Sequence, residues 1–136
     1  MNTKYKTKKI QEIIWARLSE ITSGRGTFKM KEDGSYVSEG DLLVQSIVQD
    51  WVNEAFPKHQ LISEEQAPFS DTWNSSGSYV VLDPIDGTEN FISGLKEWGV
   101  GLSIYTNGKH EASCILLPEI NDYQITGMPI KKYQPA

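Results

Sequence analysis

The sequence predicts an α+β domain in which two N-terminal helices pack on a largely antiparallel sheet. Apolar residues recur at helical spacing in two stretches of the N-terminal part. The short apolar run Tyr79–Leu82 then has the length and composition of a buried strand. Beyond it, Val100, Leu102 and Ile104 alternate with small or polar residues, which is typical of a strand with one packed face.

The first predicted helix covers one side of the core. Gly24 and Gly26 are expected to end it, and the polar residues 1–9 before it are expected to fray. Its apolar positions are Ile10, Ile13, Ile14, Leu18 and Ile21.

The second predicted helix begins at Ser38 and stops at Pro57. Ser38 with Asp41 three residues later resembles a capping box, which alone is a sufficient structural reason for this aspartate. The helix has a broad apolar stripe formed by Leu42, Val44, Ile47, Val48, Trp51, Val52, Ala55 and Phe56.

Two dipeptides predict tight turns. Asp33-Gly34 indicates a hairpin within residues 28–38, and Asn107-Gly108 indicates one after the alternating strand. Residues 112–117 then form the returning strand, which Pro118 ends, and residues 123–126 are a candidate third strand.

Acidic residues follow two of the predicted strands. Glu64 and Glu65 come after a short apolar run, where adjacent acids are typical of a solvated turn but also make a candidate metal site. Asp83 and Asp86 lie three residues apart at the end of the second strand, where open sheets tend to place ligands. Two carboxylates this close repel unless a cation lies between them, and hard oxygen ligands suit Mg²⁺.

Bulk composition narrows the classes of function. The 136 residues carry a formal net charge of −5, which argues against a partner that is a nucleic-acid polymer. The single cysteine, Cys114, fits a reducing compartment and is expected to be a buried small residue. No apolar run approaches the roughly 18 residues needed to span a bilayer. We therefore expect a cytoplasmic protein without a membrane partner.

Residues 83–91, with the sequence Asp-Pro-Ile-Asp-Gly-Thr-Glu-Asn-Phe, resemble the signature of the inositol monophosphatase family of Mg²⁺-dependent sugar and cyclitol phosphatases. Ser63-Glu64-Glu65 and residues 37–41 support the resemblance, in the same order along the chain. The resemblance implies that residues 1–126 form the N-terminal, metal-binding half of the αβαβα sugar-phosphatase fold. Residues 127–136 would be a loose tail, and the C-terminal α/β half of the family would be absent.

The resemblance also implies which residues bind metal. Glu64, Asp83 and the carbonyl of Ile85 would bind one Mg²⁺, and Asp83 would bridge to a second that Asp86 also holds. Glu65 would support Glu64 as its neighbour. The family takes a further aspartate from a Trp-Asp motif in its second half, and this sequence contains no Trp-Asp pair.

The catalytic roles follow from the same resemblance. Asp41 and Thr88 would form the pair that activates water, a role compatible with capping a helix. Asp86, Gly87 and Thr88 would contact the phosphate, because backbone N–H groups at a helix start suit an anion.

The expected function is Mg²⁺-dependent hydrolysis of a small phosphate monoester, such as an inositol, sugar or nucleotide phosphate. An alternative is a truncated form that binds metal or a partner without turnover. A third reading is an acidic domain whose carboxylates are merely solvated. Loss of the second half would expose an edge or face of the sheet, so a homodimer or other self-association is expected.

Overall fold

Helices and strands follow one another along the chain in the computed structural model, which describes residues 2–63 and 76–129. None of the helices in these ranges is long and apolar enough to cross a membrane. The helices are α1 (Thr3–Ala16), α2 (Leu18–Ser23), α3 (Glu39–Ala55) and α4 (Thr88–Ile92). The strands are β1 (Phe28–Met30), β2 (Tyr36–Ser38), β3 (Gln60–Ser63), β4 (Tyr79–Asp86), β5 (Gly99–Thr106), β6 (Lys109–Leu117) and β7 (Asp122–Ile125).

Within the described residues, the main sheet has five strands in the order β3-β4-β5-β6-β7. β3 runs parallel to β4, and the other neighbours are antiparallel. The predicted α+β class with a largely antiparallel sheet is therefore confirmed.

Helices α1 and α3 contribute to the core that covers one face of this sheet. Each fully buried aliphatic side chain there stabilises the fold by about 1.5–3 kcal/mol. Those wholly excluded from solvent include Ile10, Ile14, Val44, Val48, Val80, Ile104, Leu116 and Ile125.

The N-terminus is helical from Thr3, so the prediction that residues 1–9 fray is wrong. The Asn2 side chain accepts a hydrogen bond from the Tyr5 N–H at 2.9 Å and caps α1. Lys6 Nζ donates to the carbonyl of Ala55 at 2.8 Å, at the carboxyl end of α3. The polar composition of residues 1–9 predicted fraying. The hydrogen bond from Lys6 to the end of α3 instead holds this segment against the domain, because a basic side chain can satisfy a carbonyl at a helix end.

The single N-terminal helix predicted around residues 10–21 is divided at Arg17. Its backbone, at φ −110° and ψ 16°, is not helical, and α2 begins at the next residue. Ile14 before the break and Ile21 after it are both fully buried. The break therefore keeps both apolar segments on the core.

Both predicted turns are confirmed. β1 pairs antiparallel with β2 around the segment containing Asp33 and Gly34. Asn107 and Gly108 have φ values of 52° and 81°, as a two-residue hairpin loop requires. β7 completes the meander as the third strand.

The chain after β7 continues to pack before it leaves the described residues. The Met128 N–H donates to the Ile125 carbonyl at 3.0 Å, and the Met128 side chain packs against the core. The rest of the segment predicted as a loose tail, residues 130–136, lies outside the described residues.

The reactivity of the Cys114 thiol tests whether the core is intact, because this side chain is only 2% exposed. Burial raises the pKa of its thiol to about 12, so the reactive thiolate forms only as the pH approaches that value. We expect no reaction with a disulfide reagent such as DTNB at pH 8 in the native protein, and rapid reaction once urea unfolds it. A native rate equal to the unfolded rate would contradict this burial.

Candidate active site

An extra residue in β4 brings its two aspartates to one face of the sheet. Asp83 pairs with Gly101 of β5 and Asp86 with Gly99, so three steps along β4 match two steps along β5. Side chains three residues apart in a regular strand point to opposite faces, and a bulge of one residue restores the same face. The bulge is thus the structural reason that Asp83 and Asp86 can line the same cavity.

Two glycines of β5 lie opposite the aspartates. Gly101 pairs with Asp83, and a Cβ atom built on it would lie 3.9 Å from the Cβ atom of Asp83. Gly99 pairs with Asp86, but a Cβ atom built on it would lie 2.9 Å from the Leu117 side chain and 3.0 Å from the Leu116 carbonyl oxygen, so this glycine allows close packing of β5 on β6. Gly101 therefore leaves space beside Asp83. Sequence reasoning missed these glycines, although their alternation around Val100 on a strand was a visible signal.

Gly87 turns the chain from β4 into α4. Its φ of 89° lies in the left-handed region, which L-residues with a side chain rarely adopt. Its carbonyl accepts from the Phe91 N–H at 3.0 Å, which closes the first helical turn. Thr88 becomes the first residue of α4, as the sequence predicted.

Asp41 is the N3 residue of a complete capping box at the start of α3. Its Oδ2 accepts from the Ser38 N–H at 2.8 Å and from Ser38 Oγ at 2.6 Å. Its own N–H donates to Ser38 Oγ at 3.2 Å. Both residues are 1% exposed, so protein groups and not water satisfy these atoms.

The other carboxylate oxygen of Asp41 faces Thr88. Thr88 Oγ1 lies 3.1 Å from Asp41 Oδ1, and these residues are 47 positions apart in sequence. Thr88 Oγ1 also lies 3.1 Å from the carbonyl of Ile85. Because a hydroxyl has one proton, it donates to one of these acceptors at a time and keeps its lone pairs for another donor. The structure therefore brings together the two residues predicted to act as a pair.

The packing of Phe91 against Gly40 connects α4 to α3. Phe91 is fully buried, and its ring makes an edge contact with Trp98 at 4.9 Å between centroids. The Arg25 guanidinium lies 4.8 Å from the same ring. A Cβ atom built on Gly40 would lie 2.6 Å from two atoms of the Phe91 ring, far inside van der Waals contact. The bare Gly40 backbone thus allows the approach that places Thr88 beside Asp41.

A cavity of about 510 Å³ opens beside the end of β4 and the start of α4. The β1–β2 hairpin forms another of its walls, with Lys31, Asp33, Ser35 and Tyr36. Asp33 accepts from the Ser35 hydroxyl at 2.6 Å and from the Ser35 N–H at 3.0 Å, which keeps the pKa of this carboxyl below its usual value. The lining from β4 and α4 includes Asp83, Ile85, Asp86, Gly87 and Thr88.

The oxygen atoms at the end of β4 have the chemistry that Mg²⁺ requires. The carboxylates of Asp83 and Asp86 and the Ile85 carbonyl are hard ligands lining one cavity. Within residues 2–63 and 76–129, no three His, Cys, Asp or Glu side chains come together as a metal site. The predicted ligand Glu64 and its neighbour Glu65 lie outside the described residues. Ser63, which precedes them, pairs with Leu82 in the adjacent strand.

The sequence model of the inositol monophosphatase family matches residues 3–131 of this chain. Among curated proteins, the Nus factor SuhB of Escherichia coli (strain K12) is 27% identical over 92 residues. That alignment covers 68% of this chain and 34% of SuhB.

Solved structures have the same fold. A staphylococcal inositol monophosphatase-1, soaked with 100 mM LiCl as an inhibitory complex, superposes with a TM-score of 0.78 at 21% identity. The match covers 92% of this chain and 48% of that one. An IMPase/NADP phosphatase complexed with Mg²⁺ and phosphate has a TM-score of 0.67 at 25% identity, covering 89% and 45%. This chain therefore spans about a third to a half of the length of these relatives.

Proposed function

Because this chain belongs to the inositol monophosphatase family, we propose that it is the metal-binding half of a phosphatase that hydrolyses small phosphate monoesters with Mg²⁺. The family match and the phosphatases among its structural neighbours support this function. The observation that carries it is the contact between Asp41 and Thr88, because Thr88 lines the same cavity as the two aspartates of β4.

The proposed role of Asp41 and Thr88 is to take a proton from the attacking water. Thr88 Oγ1 can donate its proton to Asp41 Oδ1 while a lone pair accepts one from water. The carboxylate thereby acts as a general base through the hydroxyl. Ser38 satisfies the other carboxylate oxygen, so Oδ1 stays directed at Thr88.

We assign the metal ligands to Asp83, Asp86 and the Ile85 carbonyl, together with Glu64 supported by Glu65. When bound, Mg²⁺ supplies positive charge to the phosphate and eases ionisation of water near neutral pH. The presence of Mg²⁺ and phosphate together in the IMPase/NADP phosphatase neighbour supports this assignment.

We assign the phosphate contacts to Asp86, which would act through the shared metal, and to the backbone N–H groups of Gly87 and Thr88. Gly87 has no side chain to obstruct an approaching oxygen. The names of the neighbours, an inositol monophosphatase and an NADP phosphatase, point to sugar, cyclitol and nucleotide phosphates as the substrate class. We place the reaction in the cytoplasm, as the single cysteine suggests.

The deciding experiment is phosphate release by the purified protein in millimolar Mg²⁺, with a panel of inositol, sugar and nucleotide phosphates. We expect Asp86→Asn to reduce release to background, because the amide removes a negative ligand from the metal. The matched control is Asp50→Asn, the same chemical change on the exposed side of α3. Equal release by Asp86→Asn and the wild type would contradict the role given to Asp86.

A second candidate is a form that binds Mg²⁺ or a partner without turnover. This chain covers only 34% of SuhB and 48% of the staphylococcal inositol monophosphatase-1, and that partial coverage favours the second candidate. Ile115 of β6 is 60% exposed, and we place it in the proposed homodimer contact. Calorimetric Mg²⁺ binding without phosphate release would support this candidate over the enzyme. A monodisperse monomer by light scattering would contradict the partner contact.

A further inference from the structure

We propose that Ser38 is a positioning residue for the water-activating pair. Through its hydroxyl, it fixes the rotation of the Asp41 carboxylate so that Oδ1 faces Thr88. This inference rests on the proposed function, and it gives Ser38 a role beyond that of a helix cap.

The hydrogen bonds around Asp41 divide its two oxygens. Both Ser38 donors, the N–H at 2.8 Å and Oγ at 2.6 Å, converge on Oδ2. Thr88 alone among the described hydrogen-bond donors is directed at Oδ1. The Ser38 hydroxyl directs its single proton to Oδ2 at 2.6 Å, while a lone pair of its oxygen accepts from the Asp41 N–H at 3.2 Å.

A helix cap alone requires fewer hydrogen bonds than Ser38 and Asp41 make. The capping box is complete once the Ser38 oxygen accepts from the Asp41 N–H and the carboxylate accepts from the Ser38 N–H. The additional bond from Ser38 Oγ holds the carboxylate about its terminal torsion, which is otherwise broad. In the wild-type protein water does not supply that bond, since Ser38 and Asp41 are both 1% exposed.

The local backbone permits a sharp test of this role. Ser38 has φ −110° and ψ 166°, an extended conformation that β-branched residues favour. Ser38→Thr therefore keeps the hydroxyl in place. Ser38→Gly removes it, yet glycine is nearly as good an N-cap as serine, so α3 should remain folded. Ser38→Ala removes the hydroxyl and the cap together.

The experiment measures kcat, KM and the crystallographic distance from Asp41 Oδ1 to Thr88 Oγ1 in each variant. We expect Ser38→Gly and Ser38→Ala to lower kcat by about 10- to 100-fold, as for partners that orient a reactive ligand, with KM unchanged. In their structures the Asp41 carboxylate should turn away from Thr88. Ser38→Thr should retain the wild-type rate and distance.

Asn2→Ala is the matched control, because Asn2 caps α1 in the same manner but far from the site in sequence. Its kcat should equal that of the wild type. The inference is overturned if Ser38→Gly keeps both the rate and the distance to Thr88, or if Asn2→Ala loses as much kcat as Ser38→Ala. A wild-type protein that releases no phosphate would refute the proposed function instead, and the crystallographic distances would then decide the role of Ser38 by themselves.

Discussion

Replacing Thr88 with valine should lower the rate of phosphate release by about 10²- to 10⁴-fold, the range expected for loss of a positioned proton-transfer group. Valine keeps the shape of threonine but has no hydroxyl, so Asp41 Oδ1 loses the donor at 3.1 Å. The lone pair proposed to accept from water is lost as well. The measurement is the initial rate of phosphate release at saturating Mg²⁺ and substrate.

Thr88→Ser is the control for this prediction, since serine keeps the hydroxyl and loses only a methyl group. Its rate should stay within a few-fold of the wild type. Mg²⁺ affinity measured by calorimetry should be equal in both variants, because the proposed ligands are other residues. Retention of most of the rate by Thr88→Val would show that Asp41 does not act through this hydroxyl.

Gly40→Ala should destabilise the protein by about 1–3 kcal/mol, the usual cost of inserting a methyl group into a packed core. The new Cβ would lie 2.6 Å from two atoms of the fully buried Phe91 ring. Helix propensity alone predicts the opposite, since alanine is favoured over glycine by about 1 kcal/mol within a helix. The sign of the change in the free energy of unfolding therefore shows whether packing against Phe91 or helix propensity determines the effect of a side chain at Gly40.

Gly26→Ala is the matched control, because a Cβ at Gly26 meets no atom within 4 Å and its φ is not positive. It should be neutral or slightly stabilising. Urea unfolding of both variants measures the difference. Increased stability of Gly40→Ala would mean that α4 can move away from α3 at no cost. We also expect Gly40→Ala to lower phosphate release, because moving Phe91 moves Thr88 in the same short helix.

Local patterns predicted most of the fold. The apolar stripe and capping signal of α3, the Asp33-Gly34 turn and the Asn107-Gly108 turn all depend on neighbouring residues, and each appears in the structure. The start of α1 was missed although Asn2 is a local N-cap signal. The contact of Lys6 with the end of α3 adds a tertiary support that no local pattern reports. β4 also continues beyond the apolar run, through Pro84 to Asp86, because the bulge accommodates a residue without an N–H.

The candidate site was predictable in its residue types and much less so in its geometry. The resemblance to the family signature named Asp83, Asp86 and Thr88 as site residues. The resemblance of residues 37–41 named Asp41, for which the capping pattern indicated only a structural role. The contact of Asp41 with Thr88 depends on Gly40, whose importance arises only from the position of Phe91 in three dimensions. Register across two strands likewise decides the role of Gly99 and Gly101. The roles of Glu64 and Glu65 stay predictions.

The capping box of α3 bears on how this protein can evolve. Functional polar residues commonly lower the stability of a fold, so replacing them often makes the protein more stable. Asp41 is different, because its carboxylate accepts hydrogen bonds from Ser38 and Thr88 and is an acid in the first turn of a helix. Replacing it would leave buried donors unpaired. Selection for folding alone would therefore preserve this aspartate in a descendant without the proposed phosphatase activity.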